Sequence, residues 1–157
     1  IGILGGEEPI DHYQKTVIRA GKDQPAAVVR CMEIHIAEEA RHIPFANEYL
    51  HAHIRNLDPV SKQICGAAFP IVMRWLVGEI ATPPRAMARK FNIPDKVFKE
   101  AFWDSPNSQK QLRGFFGNVR KLVGDLGLMN PVTTRLWDAF GISGEPSRYR
   151  DEPNRAA

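Results

Sequence analysis

No stretch of this chain sustains the alternation of apolar and polar residues that marks a half-buried strand. Apolar residues recur at helical spacing instead, in blocks set off by proline and glycine. Asp58 and Pro59, Ser105 and Pro106, and Asn130 and Pro131 each pair a capping side chain with a proline suited to the first helical turn. Pro25 and Pro94 read as further first-turn prolines, and Gly21 and Gly141 as helix stops. The pattern predicts an all-α fold, with helices over about 9–20, 25–51, 59–81, 84–91, 95–103, 106–127 and 131–140.

The most apolar block is ICGAAFPIVMRWLVGEI, residues 64–80. Arg74 and Glu79 interrupt it and Pro70 sits near its middle, which is too short and too charged a run for a clean membrane span. It predicts a buried bundle helix and no membrane partner. The last stretch, GEPSRYRDEPNRAA, is polar and contains proline. The expected organisation is therefore a helical domain over 1–143 followed by a flexible polar tail over 144–157.

One helix departs from a simple amphipathic pattern. EIHIAEEARHIPFANEYL, residues 33–50, holds two histidines and two glutamates within eight positions. At about 100° per residue, Glu39 lies about 40° from His35, and His42 about 20° to its other side. The three form one stripe, H-x-x-x-E-x-x-H, which Val28, Cys31 and Ala46 share. That is expected to be a core face, with Glu38 at its edge and Glu33 and Arg41 in solvent. Three such side chains in a core are costly unless a cation or hydrogen bonds compensate them. Two imidazoles and a carboxylate suit iron, manganese or zinc. The Glu-x-x-His element within the stripe is the one that ferritin-like dimetal bundles use. It is not the H-E-x-x-H of a zinc protease. A second Glu-x-x-His, Glu48 and His51, points away from the stripe and reads as solvated.

Composition adds little to this. With 43% apolar and 25% charged residues the chain is ordinary for a soluble domain. Its net charge of +3 comes from interspersed charges, with no arginine-rich run, so nucleic acid is not an expected partner. Cys31 and Cys65 form no CxxC pair and read as buried free thiols in the cytoplasm. Ile1 to Gly6 is short and acidic residues follow at once, so no secretory signal is read there.

HIAEEARHIPFA, residues 35–46, and VRKLVGDLGLMNPVTTRLWDAFGI, residues 119–142, resemble the p-aminobenzoate N-oxygenase family of diiron oxygenases. The resemblance implies a ferritin-like bundle of which this chain looks like the C-terminal half, with additional C-terminal helices. In the family the fourth bundle helix carries a His, a bridging Glu and a final His, positions that match His35, Glu39 and His42. The third bundle helix supplies a glutamate a little under thirty residues earlier. GGEEPIDH offers Glu7 and Glu8, and Glu8, at 35 − 8 = 27 residues before His35, is favoured. Pro9 then suggests a helix start or kink at Glu8, and Pro44 a disturbance just after His42. His12, one turn after Glu8, is either a group behind the ligands or a surface residue; His53 is expected to be exposed.

The implied function is oxygenation of a small organic substrate such as an aryl amine. The implied cofactors are two iron ions, or manganese, with dioxygen as co-substrate and an external electron donor. Arg113 and Arg120 are candidates to pair with a substrate carboxylate. Two earlier ligand-bearing helices of the family have no counterpart before Glu7, so a homodimer is expected to cover the open face. The alternative is a non-catalytic truncated helical module that dimerises and binds one metal or none.

Overall fold

A computed structural model of the protein describes residues 1–20 and 24–147. Its elements are α1 (Gly2–Ala20), α2 (Ala26–Ile54), α3 (Pro59–Ala81), α4 (Arg85–Lys90), α5 (Asp95–Lys99), a π turn over Glu100–Asp104, α6 (Pro106–Phe115), α7 (Gly117–Asp125) and α8 (Pro131–Ala139). Among the described residues there is no strand.

The caps form as the sequence predicts. Asp58 accepts the amides of Val60 and Ser61 at 2.9 and 3.1 Å, and Pro59 opens α3. Ser105 accepts the amide of Ser108, and Asn130 closes a reciprocal capping box with Thr133. Such local exchanges satisfy amides that the first turn leaves without partners. Pro25, Pro84 and Pro94 stand one position before their helices rather than inside the first turn.

The first helix departs from expectation. It starts at Gly2, so Pro9 and Glu8 lie well inside it rather than at its start. Pro9 removes one hydrogen bond and crowds the carbonyl four residues back. That carbonyl belongs to Gly5, where α1 meets α3 so closely that an added Cβ would lie 2.7 Å from Leu76 Cδ1. Packing there overrides the proline. Pro44 is likewise carried inside α2 without ending it.

α1 packs against α2 and α3 and also meets α6 and α7, while α3 continues onto α8. The core gathers Leu4, Leu50, Phe69, Met73, Phe116, Val123 and Trp137, each buried. α6 and α7, predicted as one helix over 106–127, break at Phe116. Phe116 is wholly buried, and the C-terminal segment packs onto the junction, where Ser147 donates its amide to the Gly117 carbonyl at 2.9 Å. Arg120, also buried, braces the same segment. Its three guanidinium nitrogens reach the carbonyls of Arg113, Ile142 and Glu145 at 2.8–3.2 Å. Gly144–Ser147 is thus tied to the domain, and the rest of the predicted tail lies outside the described residues, as does Gly21.

α3 is only half covered. Phe69, Pro70, Met73 and Val77 are buried, while Val60, Ile64, Ile71 and Trp75 form an exposed apolar stripe. The stretch Pro59–Lys90 is long and apolar enough, by length and composition, to cross a membrane. Both cysteines are free, but Cys31 is exposed and Cys65 half-buried, so neither is a core thiol.

Candidate metal centre

α1 and α2 run antiparallel, and two contacts fix their register. Glu7 Oε1 lies 3.0 Å from His42 Nδ1, and the Gln14 amide lies 2.9 Å from His35 Nδ1. One strand of side chains therefore rises along α1 (Glu7, Asp11, Gln14) while the predicted stripe descends along α2 (His42, Glu39, His35). Glu39 sits between the two contacts. Its Oε1 is 3.0 Å from His35 Nδ1, but the approach lacks hydrogen-bond alignment.

The seam is rich in buried carboxylates: Glu8, Asp11 and Glu39 are all below one-tenth exposed. Carboxylates avoid such places unless paired or bound to a metal. Asp11 is paired with Lys15 at 2.5 Å, and Glu8 accepts from Asn118 Nδ2 at 2.8 Å. Glu39 is different. Both its oxygens are out of water and without a hydrogen-bond partner, as is Glu7 Oε2. Burial pushes the Glu39 carboxyl up to about 7, with His35 opposing the shift and Asp11 and Glu7 adding to it.

The imidazoles are less enclosed than the sequence implies. The side chains of His35 and His42 are 44% and 56% exposed, against 2% for Glu39. Val28 and Cys31 are exposed as well, while Ala46 is buried. The stripe is therefore an edge, not a core face. α1 covers the side of α2 that carries Glu39 and reaches the histidines only through Glu7 and Gln14, leaving about half of each imidazole open.

Among the described residues, no three His, Cys, Asp or Glu side chains gather around one cation position. They come in pairs instead, Glu7 with His42 across the seam and Glu39 with His35 along α2. Their chemistry nonetheless fits a divalent ion. Two neutral imidazoles and several carboxylates are its usual donors, and three orphaned carboxylate oxygens are what a cation would compensate.

Glu8 and Glu39 also share the wall of a cavity of about 470 Å³ with Asp11, Lys15, Lys121 and Asp125. Glu48 and His51 line it too. That Glu-x-x-His copy is therefore not simply solvated: His51 is half-buried, and the cavity extends along α2 past Pro44 to reach it. His12 is exposed and turns to α6, with its ring edge-on to Phe115 at 5.5 Å. His53 is exposed and stacks on Tyr49. Of the two candidate substrate arginines, Arg113 is exposed and Arg120 is engaged with main-chain carbonyls, as described above. Phe69, Phe115 and Phe116 belong to the core, and Trp75 is exposed.

Asp11 and Gln14 are the participants that the sequence pattern missed. The signal was present, since they follow Glu7 at helical intervals of four and seven, but neither belongs to a ligand motif.

The profile of the family described as P-aminobenzoate N-oxygenase AurF matches residues 1–127. Uncharacterized proteins of Mycobacterium tuberculosis (Rv0885) and Mycobacterium bovis (Mb0909) are each 48% identical to the chain over 155 residues. Those alignments cover 99% of this chain and 46% of each relative, so the chain spans about half the length of the curated relatives it matches. No solved structure matches it significantly.

Proposed function

The chain belongs to the p-aminobenzoate N-oxygenase AurF family of ferritin-like diiron oxygenases, and from that premise we propose that it forms the C-terminal half of such an oxygenase's metal site. The observation that carries the reading is Glu39, a buried carboxylate with both oxygens orphaned, flanked on its own helix by His35 and His42. Glu8, His35, Glu39 and His42 would hold the metal. A pair of iron ions bound there supplies the redox chemistry that activates dioxygen.

This chain's own residues do the positioning. Glu7 accepts a hydrogen bond from His42 Nδ1–H, which leaves the Nε2 lone pair free for a metal. Gln14 presents its amide nitrogen to His35 Nδ1 at 2.9 Å and its oxygen at 3.4 Å, and with the amide turned over it would do the same for His35. Such partners fix the tautomer and ring direction of a ligating histidine. Glu7 is then an orienting group and Glu8 the ligand. Burial around Glu39 keeps water from competing for its carboxylate.

The open side of His35 and His42 is where further ligands enter, from the remaining half of a longer protein or from a second copy of this chain. The reading includes a small-molecule substrate, an external electron donor and a cytoplasmic setting. N-oxygenation of an aryl amine is the reaction that the family's description suggests.

Iron content per chain tests this, by elemental analysis after anaerobic loading of the protein and of His42→Ala. Stoichiometric iron that the variant loses supports the metal site. No stoichiometric metal in either protein would leave a helical module that acts by association.

A further inference from the structure

We propose that the oxygenase substrate is a neutral aromatic molecule held in a second cavity, beside Gln14, on the far side of α1 from the carboxylate-lined one. This rests on the metal reading above for the reaction, but not for the binding. The cavity measures about 550 Å³, and side chains from α1, α2, α3, the π turn and α6 line it. Its walls include Tyr13, Met32, Phe102, Leu112 and Phe115, and not one of its lining residues is charged. The cavity that Glu8 and Glu39 share carries five carboxylates and two lysines in its wall, so the two differ in kind.

Gln14 connects this cavity to the metal centre. It lines the wall, and its amide contacts His35 Nδ1 at 2.9 Å. A molecule in the cavity therefore lies one side chain from a metal ligand.

The polar groups in the wall define what that molecule carries. The Ser108 hydroxyl is already committed to the Ala101 carbonyl at 2.7 Å. The Tyr13 hydroxyl and the Gln111 amide make no hydrogen bond with the described residues. They are free to take one amine or hydroxyl, while the aromatic and aliphatic walls take a ring. Pockets of this size with few convergent polar groups are typical small-molecule sites.

A carboxylate does not belong there. The wall offers no cation to pair with one. Neither Arg113 nor Arg120 lines the cavity, and all three guanidinium nitrogens of Arg120 face backbone carbonyls. The substrate class is thus an aryl amine without an acidic group.

The test uses the iron-loaded chain with two probes of similar shape, 4-ethylaniline and p-aminobenzoate, titrated by calorimetry or ligand-observed NMR. 4-Ethylaniline should bind at least about tenfold tighter. Ala101→Trp and Gln111→Trp, both at exposed positions on the cavity wall, should each weaken it about tenfold, a loss of about 1.4 kcal/mol, and leave iron content unchanged. The proposal falls if p-aminobenzoate binds equally well or better, if 4-ethylaniline does not bind, or if both tryptophan variants bind it normally. Iron content measured on the same samples separates the two readings. Iron without 4-ethylaniline binding defeats the cavity alone, and binding without iron defeats the metal site alone.

Discussion

Two helix interfaces of this protein are built on opposite plans. Where α3 meets α8 and the start of α1, the contact is apolar and closed. Phe69 and Met73 are wholly buried, and an added Cβ at Gly66 would lie 3.0 Å from the Leu128 carbonyl and from Thr133 Cγ2. The capping box at Asn130 and the Thr133 hydroxyl, bonded to the Leu128 carbonyl at 3.0 Å, leave that end of α8 satisfied. The seam between α1 and α2 instead buries Glu8, Asp11 and Glu39 and leaves three carboxylate oxygens without a partner. The first interface is held mainly by packing, with the Asn130 side-chain amide donating across it to Gln63 Oε1 at 2.9 Å. The second is electrostatically incomplete as the chain stands, and the proposed metal site rests on that incompleteness.

The contrast predicts a ranking of effects. The largest belongs to the closed interface. Phe69→Ala should cost about 3–5 kcal/mol, the usual sum of lost transfer energy and cavity. Denaturant titration with and without iron checks this, and the loss should be the same in both. A loss that iron repaired would mean that the two interfaces are not independent.

The next effect has the opposite sign. In the metal-free protein Glu39 is protonated more readily when folded, at about 7 against an ordinary 4.5. Below about pH 4.5 the group is neutral in both folded and unfolded chains and costs nothing. As pH rises from there the unfolded chain ionises first, so stability falls, and the full penalty is present above about 7. It amounts to roughly 3 kcal/mol. Glu39→Gln should therefore stabilise the metal-free protein at pH 7.5 by up to about that amount and flatten its pH dependence, while abolishing iron loading. Urea midpoints from pH 4.5 to 8 read this directly. If the wild-type protein grows more stable across that range, the account of Glu39 fails.

Most of the helices were legible in the sequence because their signals are local. Asp58, Ser105 and Asn130 cap within three residues of themselves, so proximity in sequence was enough. The start of α1 was not legible. Pro9 argues for a helix end, and the close approach of Gly5 to Leu76 and Met73, which overrides it, joins residues some seventy positions apart. The same division holds at the candidate site. His35, Glu39 and His42 share one helix and one motif. Asp11, Gln14 and the openness of the histidine side depend on which helix packs against which.

A smaller effect probes the groups behind the ligands. Glu7→Gln and Gln14→Ala should keep iron bound but weaken its affinity by about ten- to a hundredfold, the usual cost of removing a partner that orients a ligating histidine. Competition with a calibrated chelator measures it. Equal affinity in both variants would remove these residues from the account without touching Glu39.

The smallest effect brings the comparison back to the closed interface. Asn130 accepts the amides of Val132 and Thr133 at 3.0 and 3.1 Å, and its own backbone amide donates to the Thr133 hydroxyl oxygen at 2.8 Å. Asn130→Ala removes half of that exchange together with the exposed bond to Gln63, and should cost about 1 kcal/mol. α8 packs chiefly on α3, so iron affinity should not change. The loss in stability should also be independent of pH between 4.5 and 8, because no titrating group takes part in the cap. A pH-dependent loss, or a change in iron binding, would show that the carboxylate seam and the apolar interface communicate through α3. The two plans would then be parts of one cooperative unit.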